Sequence, residues 1–226
     1  IIDVGGESTR PGAAPVDVNE ELQRVIPVIE RLAGRLAVPV SVDTSKPEVM
    51  RAAIASGASM INDVTALRAP GAIDAAAASG AAICLMHMQG EPRTMQKEPH
   101  YTDVLVEVRD FLRARVARCV EAGIASSRLV IDPGFGFGKT LGHNLELLRR
   151  LPELAADGLP VLAGLSRKSM IGKLTGRVDS ERLGGSLALA TFAILSGVRI
   201  VRAHDVAPTV DALKVVAAIG EPNGEA

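Results

Sequence analysis

The feature that most constrains the fold of this chain is a rhythm. Seven short apolar runs, rich in β-branched residues, lie at 1–5, 38–43, 60–64, 82–88, 129–132, 161–166 and 199–204, and each is followed by a stretch with helical spacing. The first such stretch starts at Asn19, read as an N-cap, and places Leu22, Val25, Ile26, Ile29 and Leu32 on one face. The others run from Lys46-Pro47 to Gly57, and over 71–79, 104–122, 143–156, 180–196 and 207–218. Strict strand–helix alternation demands parallel strands with right-handed crossovers. An open doubly wound sheet also satisfies it. The even rhythm, with no switch in pattern, favours an α/β fold of the (β/α)8 TIM barrel type. Seven units instead of eight, and an opening on Ile1 inside a run, imply a single barrel domain over 1–226 that is N-terminally truncated, its first β-strand missing.

Composition narrows the chemistry. With no Trp, one Tyr and four Phe, the core must be built from Ala, Val, Leu and Ile, which suits closely packed helix and sheet layers. A net charge of −1 argues against a nucleic-acid or membrane surface built on bulk electrostatics, so the expected partner is a small molecule. Cys84 and Cys119 have no metal spacing and suggest no disulfide framework, which points to a reducing, cytoplasmic setting. No stretch reads as a signal peptide, and the longest apolar one, 187–198, is too short and too punctuated to span a bilayer.

The densest motif is Val130-Ile131-Asp132-Pro133-Gly134-Phe135-Gly136-Phe137-Gly138-Lys139. Gly138-Lys139-Thr140 between a strand and a helix suggests a phosphate loop, but the glycine required five residues before Gly138 is Pro133. A dinucleotide fingerprint fails as well, because Lys139 stands where a third small residue is needed. The loop is expected to wall a ligand, with Lys139 at the surface.

In a barrel of parallel strands the reactive residues sit at the C-terminal face. Asp43, Asn62, Asp63, His87, Asp132, Ser166, Arg167, Lys168, Arg202, His204 and Asp205 all end apolar runs or lie just beyond them. Burying so many unpaired charges costs several kcal/mol per ion as an order of magnitude, so they must pair or meet a ligand. Arg202 and His204, two apart on one strand, face the same way and form an anion clamp over which Thr9 and Arg10 can close. The plainer alternatives are that Arg202 pairs with a barrel acid, that Asp132 caps the glycine loop, and that Asp43 serves a turn with Thr44-Ser45. Asn62 is expected to read a heterocycle edge. His87, His100 and His143 are expected to carry no chemistry.

Ile2-Asp3-Val4-Gly5-Gly6-Glu7-Ser8-Thr9-Arg10-Pro11-Gly12, Ser41-Val42-Asp43-Thr44-Ser45, Ile61-Asn62-Asp63, the 132–139 loop, Ser166-Arg167-Lys168-Ser169 and Arg202-Ala203-His204-Asp205 together resemble the dihydropteroate synthase family. The resemblance runs through essentially the whole chain in order. It implies condensation of a dihydropterin carrying a methylene pyrophosphate with p-aminobenzoate, giving dihydropteroate and pyrophosphate for folate synthesis. By motif it assigns Asp43, Asn62, Asp132 and Lys168 to the pterin, and Arg202, His204 and Arg10 to the pyrophosphate. Thr9, Pro11, Phe137 and Ser166 fall to the p-aminobenzoate wall, where sulfonamides should compete. Asp43, Lys168, Arg202 and His204 are the residues it ties most closely to the chemistry, which the family is described as performing dissociatively: pyrophosphate leaves and the arylamine captures a pterin cation.

The resemblance also implies Mg²⁺, bound with the pyrophosphate through a ligand expected in the missing N-terminal segment, and a homodimer. Two other readings keep the pterin residues. A folate-dependent methyltransferase's pterin-binding barrel would have no purpose for the Ser166-Arg167-Lys168, Arg202 and His204 set, and a non-catalytic pterin-binding fragment would hold the ligand without turning it over.

Overall fold

The computed structural model describes residues 1–10, 12–91 and 94–220. Seven parallel strands follow one another in sequence order: β1 (Ile2–Gly5), β2 (Val40–Asp43), β3 (Met60–Asp63), β4 (Ala82–Met86), β5 (Leu129–Asp132), β6 (Leu162–Gly164) and β7 (Ile200–Arg202). The first five form one sheet and the last two another, joined by a bridge between Ile131 and Val161. Among the described residues β7 has no ladder with β1, so the strands do not close by backbone bonds. Side chains span that gap: the Arg202 Nε–H donates to Asp3 Oδ2 at 2.7 Å.

The helices are α1 (Val18–Leu32), α2 (Pro47–Ala55), α3 (Ala72–Ser79), α4 (Val104–Glu121), α5 (Leu141–Arg149), α6 (Leu151–Ala155), α7 (Ser169–Thr175), α8 (Leu183–Leu195) and α9 (Val206–Gly220). The α1 cap is Asp17, not Asn19, because the Asp17 carboxylate accepts the N–H groups of Asn19 and Glu20 at 2.8 and 3.0 Å. The stretch expected as one helix from His143 begins at Leu141 under a Thr140–His143 capping box, and it breaks at Arg150, just before Pro152. The short α7 is not visible in the periodicity, and 179–181 is a 3₁₀ turn ahead of α8.

Strand alternation sorts the core into layers. Val42, Ile61, Ile83, Leu85, Leu129 and Ile131 face the helices in the main core, while Met60, Cys84, Val130 and Leu162 pack together on the opposite, inner face. The shortage of aromatics is met by close approach: α3 buries only alanines, and a Cβ on Gly185 of α8 would fall 2.3 Å from Ile171 on α7. The strand register pairs Gly5 with Asp43, Asp43 with Asn62, Met86 with Asp132 and Gly164 with Arg202. One rim therefore collects the strands' polar ends.

Candidate active site

One layer above the Met60–Leu162 cluster, the same inner face presents Asp43, Asn62, Asp132 and Arg202. Asp63 is the neighbour that alternation turns the other way. Its buried carboxylate accepts the Thr65 N–H, the Thr65 hydroxyl and the Leu67 N–H at 2.7–2.8 Å, so it holds the turn after β3. Local burial and the partners within reach thus separate two acids adjacent in sequence.

The acidic side centres on Asp43. Burial, reinforced by the Asp3 carboxylate and opposed by Arg202, pushes its pKa up to about 7. The turn role considered for it falls instead to Thr44, whose hydroxyl accepts the Lys46 N–H at 3.2 Å. Asp3 accepts from both Arg202 and, at 3.3 Å, the Asn62 amide, while its other oxygen is buried without a partner. The sequence reading overlooked Asp3, although it sits in the first motif and two residues before a strand end. Asp132 also lies in a buried position that raises its pKa, opposed first by the Gly134 N–H, which donates to Oδ1 at 2.7 Å, and then by Lys168. Asp132 does cap the glycine loop, with one of its two oxygens.

The cationic side comes from β6, β7 and two loops. Arg202 pairs with Asp3 and lies 3.6 Å from Asp43, as the plainer alternative held, so it spans the acidic and cationic sides. His204 lies beyond β7 and not on it. Its N–H donates to Ser166 Oγ at 3.2 Å and its Nδ1 lies 3.0 Å from the same oxygen, so Ser166 fixes the imidazole. Burial first, then Arg202, Arg167 and Arg10, depress the His204 pKa. Lys168 is held down to about 8 by burial, opposed by Asp132 and aided by Arg202 and Arg10. Arg167 and Asp205 form a two-bond ion pair at 2.6 and 3.0 Å, while the Arg167 backbone, in a left-handed φ of +56°, donates its N–H to Ser186 Oγ at 2.9 Å and accepts from Arg182 at 3.0 Å.

Lys139 corrects the sequence reading outright. It is 3 % exposed, and its ammonium donates to the carbonyls of Gly134 and Phe137 at 3.0 Å each and meets His87 Nδ1 at 2.9 Å. A lysine finds partners inside when a glycine turn points carbonyl oxygens at it, one of them, on Gly134, also accepting the Phe137 N–H. Burial holds it down to about 7, and burial together with Lys139 holds His87 near 3. His87, expected to be inert, is a fixed part of this knot. His143 serves the α5 cap.

Thr9 lines a cavity of about 300 Å³ with Glu7, Glu21, Asp43, Thr65 and Glu91. The loop bearing Thr9 and Arg10 is rooted by Lys46, whose ammonium bonds Glu7 and the fully buried Glu21. Pro11 lies outside the described residues. The Phe137 ring, half-buried, stacks under Lys168 with Nζ 4.3 Å from its centroid. Among the described residues, no group of three or more His, Cys, Asp or Glu side chains could hold a metal ion.

A family model described as "Pterin binding enzyme" matches residues 1–204. A dihydropteroate synthase of Escherichia coli (strain K12) is 58% identical over 218 residues, covering 96% of this chain and 77% of the relative. The structure superimposes with a TM-score of 0.95 on the Yersinia pestis dihydropteroate synthase in complex with a sulfonamide drug, at 51% identity over 97% of this chain and 80% of that one. The Xanthomonas albilineans dihydropteroate synthase with 4-aminobenzoic acid gives 0.93 at 56% identity, over 98% and 79%.

Proposed function

This chain belongs to the pterin binding enzyme family, as a transferase with dihydropteroate synthase function, and from that premise we propose how its residues divide the work. The reaction joins a dihydropterin methylene pyrophosphate to p-aminobenzoate. The C–O bond to pyrophosphate breaks, a C–N bond to the arylamine forms, and the amine loses a proton.

The observation that carries the division is the separation of charge along the rim. Asp3, Asp43 and Asp132 occupy β1, β2 and β5, while Lys168 and His204 both feel Arg202 and Arg10, and the two sets meet where Arg202 bonds Asp3 and Lys168 faces Asp132. The pterin, which presents a donor edge, belongs against Asp132 and Asn62, with Lys168 over it. Pyrophosphate belongs to Arg202, His204 and Arg10. Arg202 comes to that task with its Nε already committed to Asp3. Asp43 stands between the two groups, where a carboxylate stabilises a cation formed as the anion departs. The p-aminobenzoate wall is Thr9, Pro11, Phe137 and Ser166, the last also in contact with His204 Nδ1 at 3.0 Å.

Mg²⁺ would bring positive charge to the pyrophosphate. The described residues do not fit it as a protein-made centre, since Asp3 and Asp43 are engaged with Arg202 and no third ligand joins them. The exposed apolar side chains of α8 and α9, among them Phe192, Leu195, Val210, Val215 and Ile219, support a homodimer through those helices. Two free, buried cysteines suit a cytoplasmic setting, and no described helix is long and apolar enough to cross a membrane.

The assignment is tested by supplying dihydropterin pyrophosphate, p-aminobenzoate and Mg²⁺ and measuring dihydropteroate and pyrophosphate together. Arg202→Met should lose turnover while pterin itself still binds. Retention of pyrophosphate affinity in that variant would remove Arg202 from the anion site.

A further inference from the structure

The knot under the glycine loop has no place in the division of labour above, and its geometry points to one. Gly134 and Phe137 are the ends of a tight turn, closed by the Phe137 N–H donating to the Gly134 carbonyl at 3.1 Å. The Lys139 ammonium bonds both end carbonyls at once, and His87 supplies the third contact. His87 is itself fixed, because its N–H donates to the Asp132 carbonyl at 2.9 Å and its ring lies edge-on to Phe111 at 5.0 Å. The turn cannot drift towards β4: a Cβ at Gly134 would stand 1.9 Å from the His87 carbonyl oxygen.

We propose that Lys139 is a positioning residue for the arylamine pocket, its buried ammonium setting the Phe137 backbone so that the Phe137 ring meets Lys168. The inference rests on the assignment of Phe137 to the p-aminobenzoate wall. A charged group is a costly way to brace a turn in the interior, and the Lys139 site lowers its pKa accordingly. What the ammonium offers over an apolar side chain is direction. Three donors on one nitrogen bind two carbonyls and one imidazole, and so define one placement of the turn.

Lys139→Met should raise the KM for p-aminobenzoate by about 10- to 100-fold, since an ångström of misplacement near a reacting group has effects of that order. The KM for dihydropterin pyrophosphate should rise several-fold less, because Asn62 keeps its bond to Asp3 outside the turn and Asp132 feels the change only through the Gly134 N–H. Lys139→Gln, which retains one amide donor, should give an intermediate rise and serves where the methionine variant does not fold. If Phe137→Ala leaves the p-aminobenzoate KM unchanged, the Phe137 assignment is lost, and this inference with it. If Phe137→Ala raises it, Lys139→Gln added to Phe137→Ala should raise it no further. A full additive rise in the double variant, or equal rises for both substrates in Lys139→Gln alone, would overturn the positioning role and leave a merely structural one.

Discussion

Asp132→Asn offers a quantitative test of the pterin site, because the structure fixes which way the new amide must point. Asp132 Oδ1 accepts the Gly134 N–H at 2.7 Å, and Gly134 sits in a left-handed conformation (φ +67°) that it cannot leave without moving the turn. The asparagine therefore keeps its oxygen on Gly134 and turns its NH₂ group into the pocket. There it meets the pterin's donor edge. The loss is one hydrogen bond to a charged acceptor, about 1.5–3 kcal/mol, plus about 1 kcal/mol for donors left facing each other. The sum, about 2.5–4 kcal/mol, corresponds to a pterin affinity weaker by about 70- to 1,000-fold. Titration calorimetry with a pterin reads this directly. Thermal unfolding supplies the control with the opposite sign. Burial raises the Asp132 pKa, so the ionised carboxylate costs the fold stability, and its neutral isostere should melt at the same temperature or higher. An unchanged pterin affinity would refute the assignment. A weaker affinity together with a clearly lower melting temperature would refute the argument that Gly134 orients the amide.

Asp43, with a folded pKa raised to about 7 from an ordinary 3.8, should give kcat/KM a limb that rises through about pH 7 and disappears in Asp43→Asn, read from initial rates. The same shift works against stability: Asp43 costs the fold nothing below pH 3.8 and progressively more up to about pH 7, so urea midpoints should rise in Asp43→Asn at pH 8 and stay unchanged at pH 3. Lys46→Met strands the fully buried Glu21 carboxylate and should cost about 3–5 kcal/mol by urea unfolding, whereas Glu7→Gln should cost no more than about 1 kcal/mol. Gly134→Ala combines a 1.9 Å approach to the His87 carbonyl with a positive φ, and should destabilise by at least about 3 kcal/mol in the same assay.

The strand order was legible in the sequence because each run is short, apolar and followed by its helix, and a strand's polar end is a local fact. That is why Asp43, Asn62, Asp132 and Arg202 could be named in advance. The errors fall where a side chain's meaning depends on a partner far away in sequence. Lys139 looks like a surface residue until His87 is brought to it across 52 positions, and Asp3 looks like an ordinary strand residue until Arg202 arrives from 199 positions away. Caps failed by a smaller margin: Asp17 and Asn19 are both good capping residues, and the choice between them lies in backbone angles that composition does not report. The α7 helix is only seven residues long and contains Gly172, which leaves it no periodicity to read.

The charge layout also bears on how so polar a rim would serve a transfer that needs no strong base. The dissociative transfer that the family resemblance implies begins with one molecule and passes through an anion and a cation held close together. Water would separate and solvate them, whereas this rim has cations on β7 and the β6–α7 loop and acids on β1, β2 and β5 before any substrate charge develops. Arg202 is where the two sets meet, bonded to Asp3 and 3.6 Å from Asp43. Drawing its guanidinium towards a phosphate would unburden Asp43 of a counter-charge at the moment a carbocation needs one. The proton left on the new C–N bond is acidic and needs no strong base. His204, with its pKa lowered by burial and three arginines, is then better understood as an anion-side hydrogen-bond donor than as a proton carrier. On this reading the rate would follow from placing fixed charges correctly, with the half-buried Lys46 rooting the Thr9–Arg10 loop and the buried Lys139 bracing the 134–137 turn.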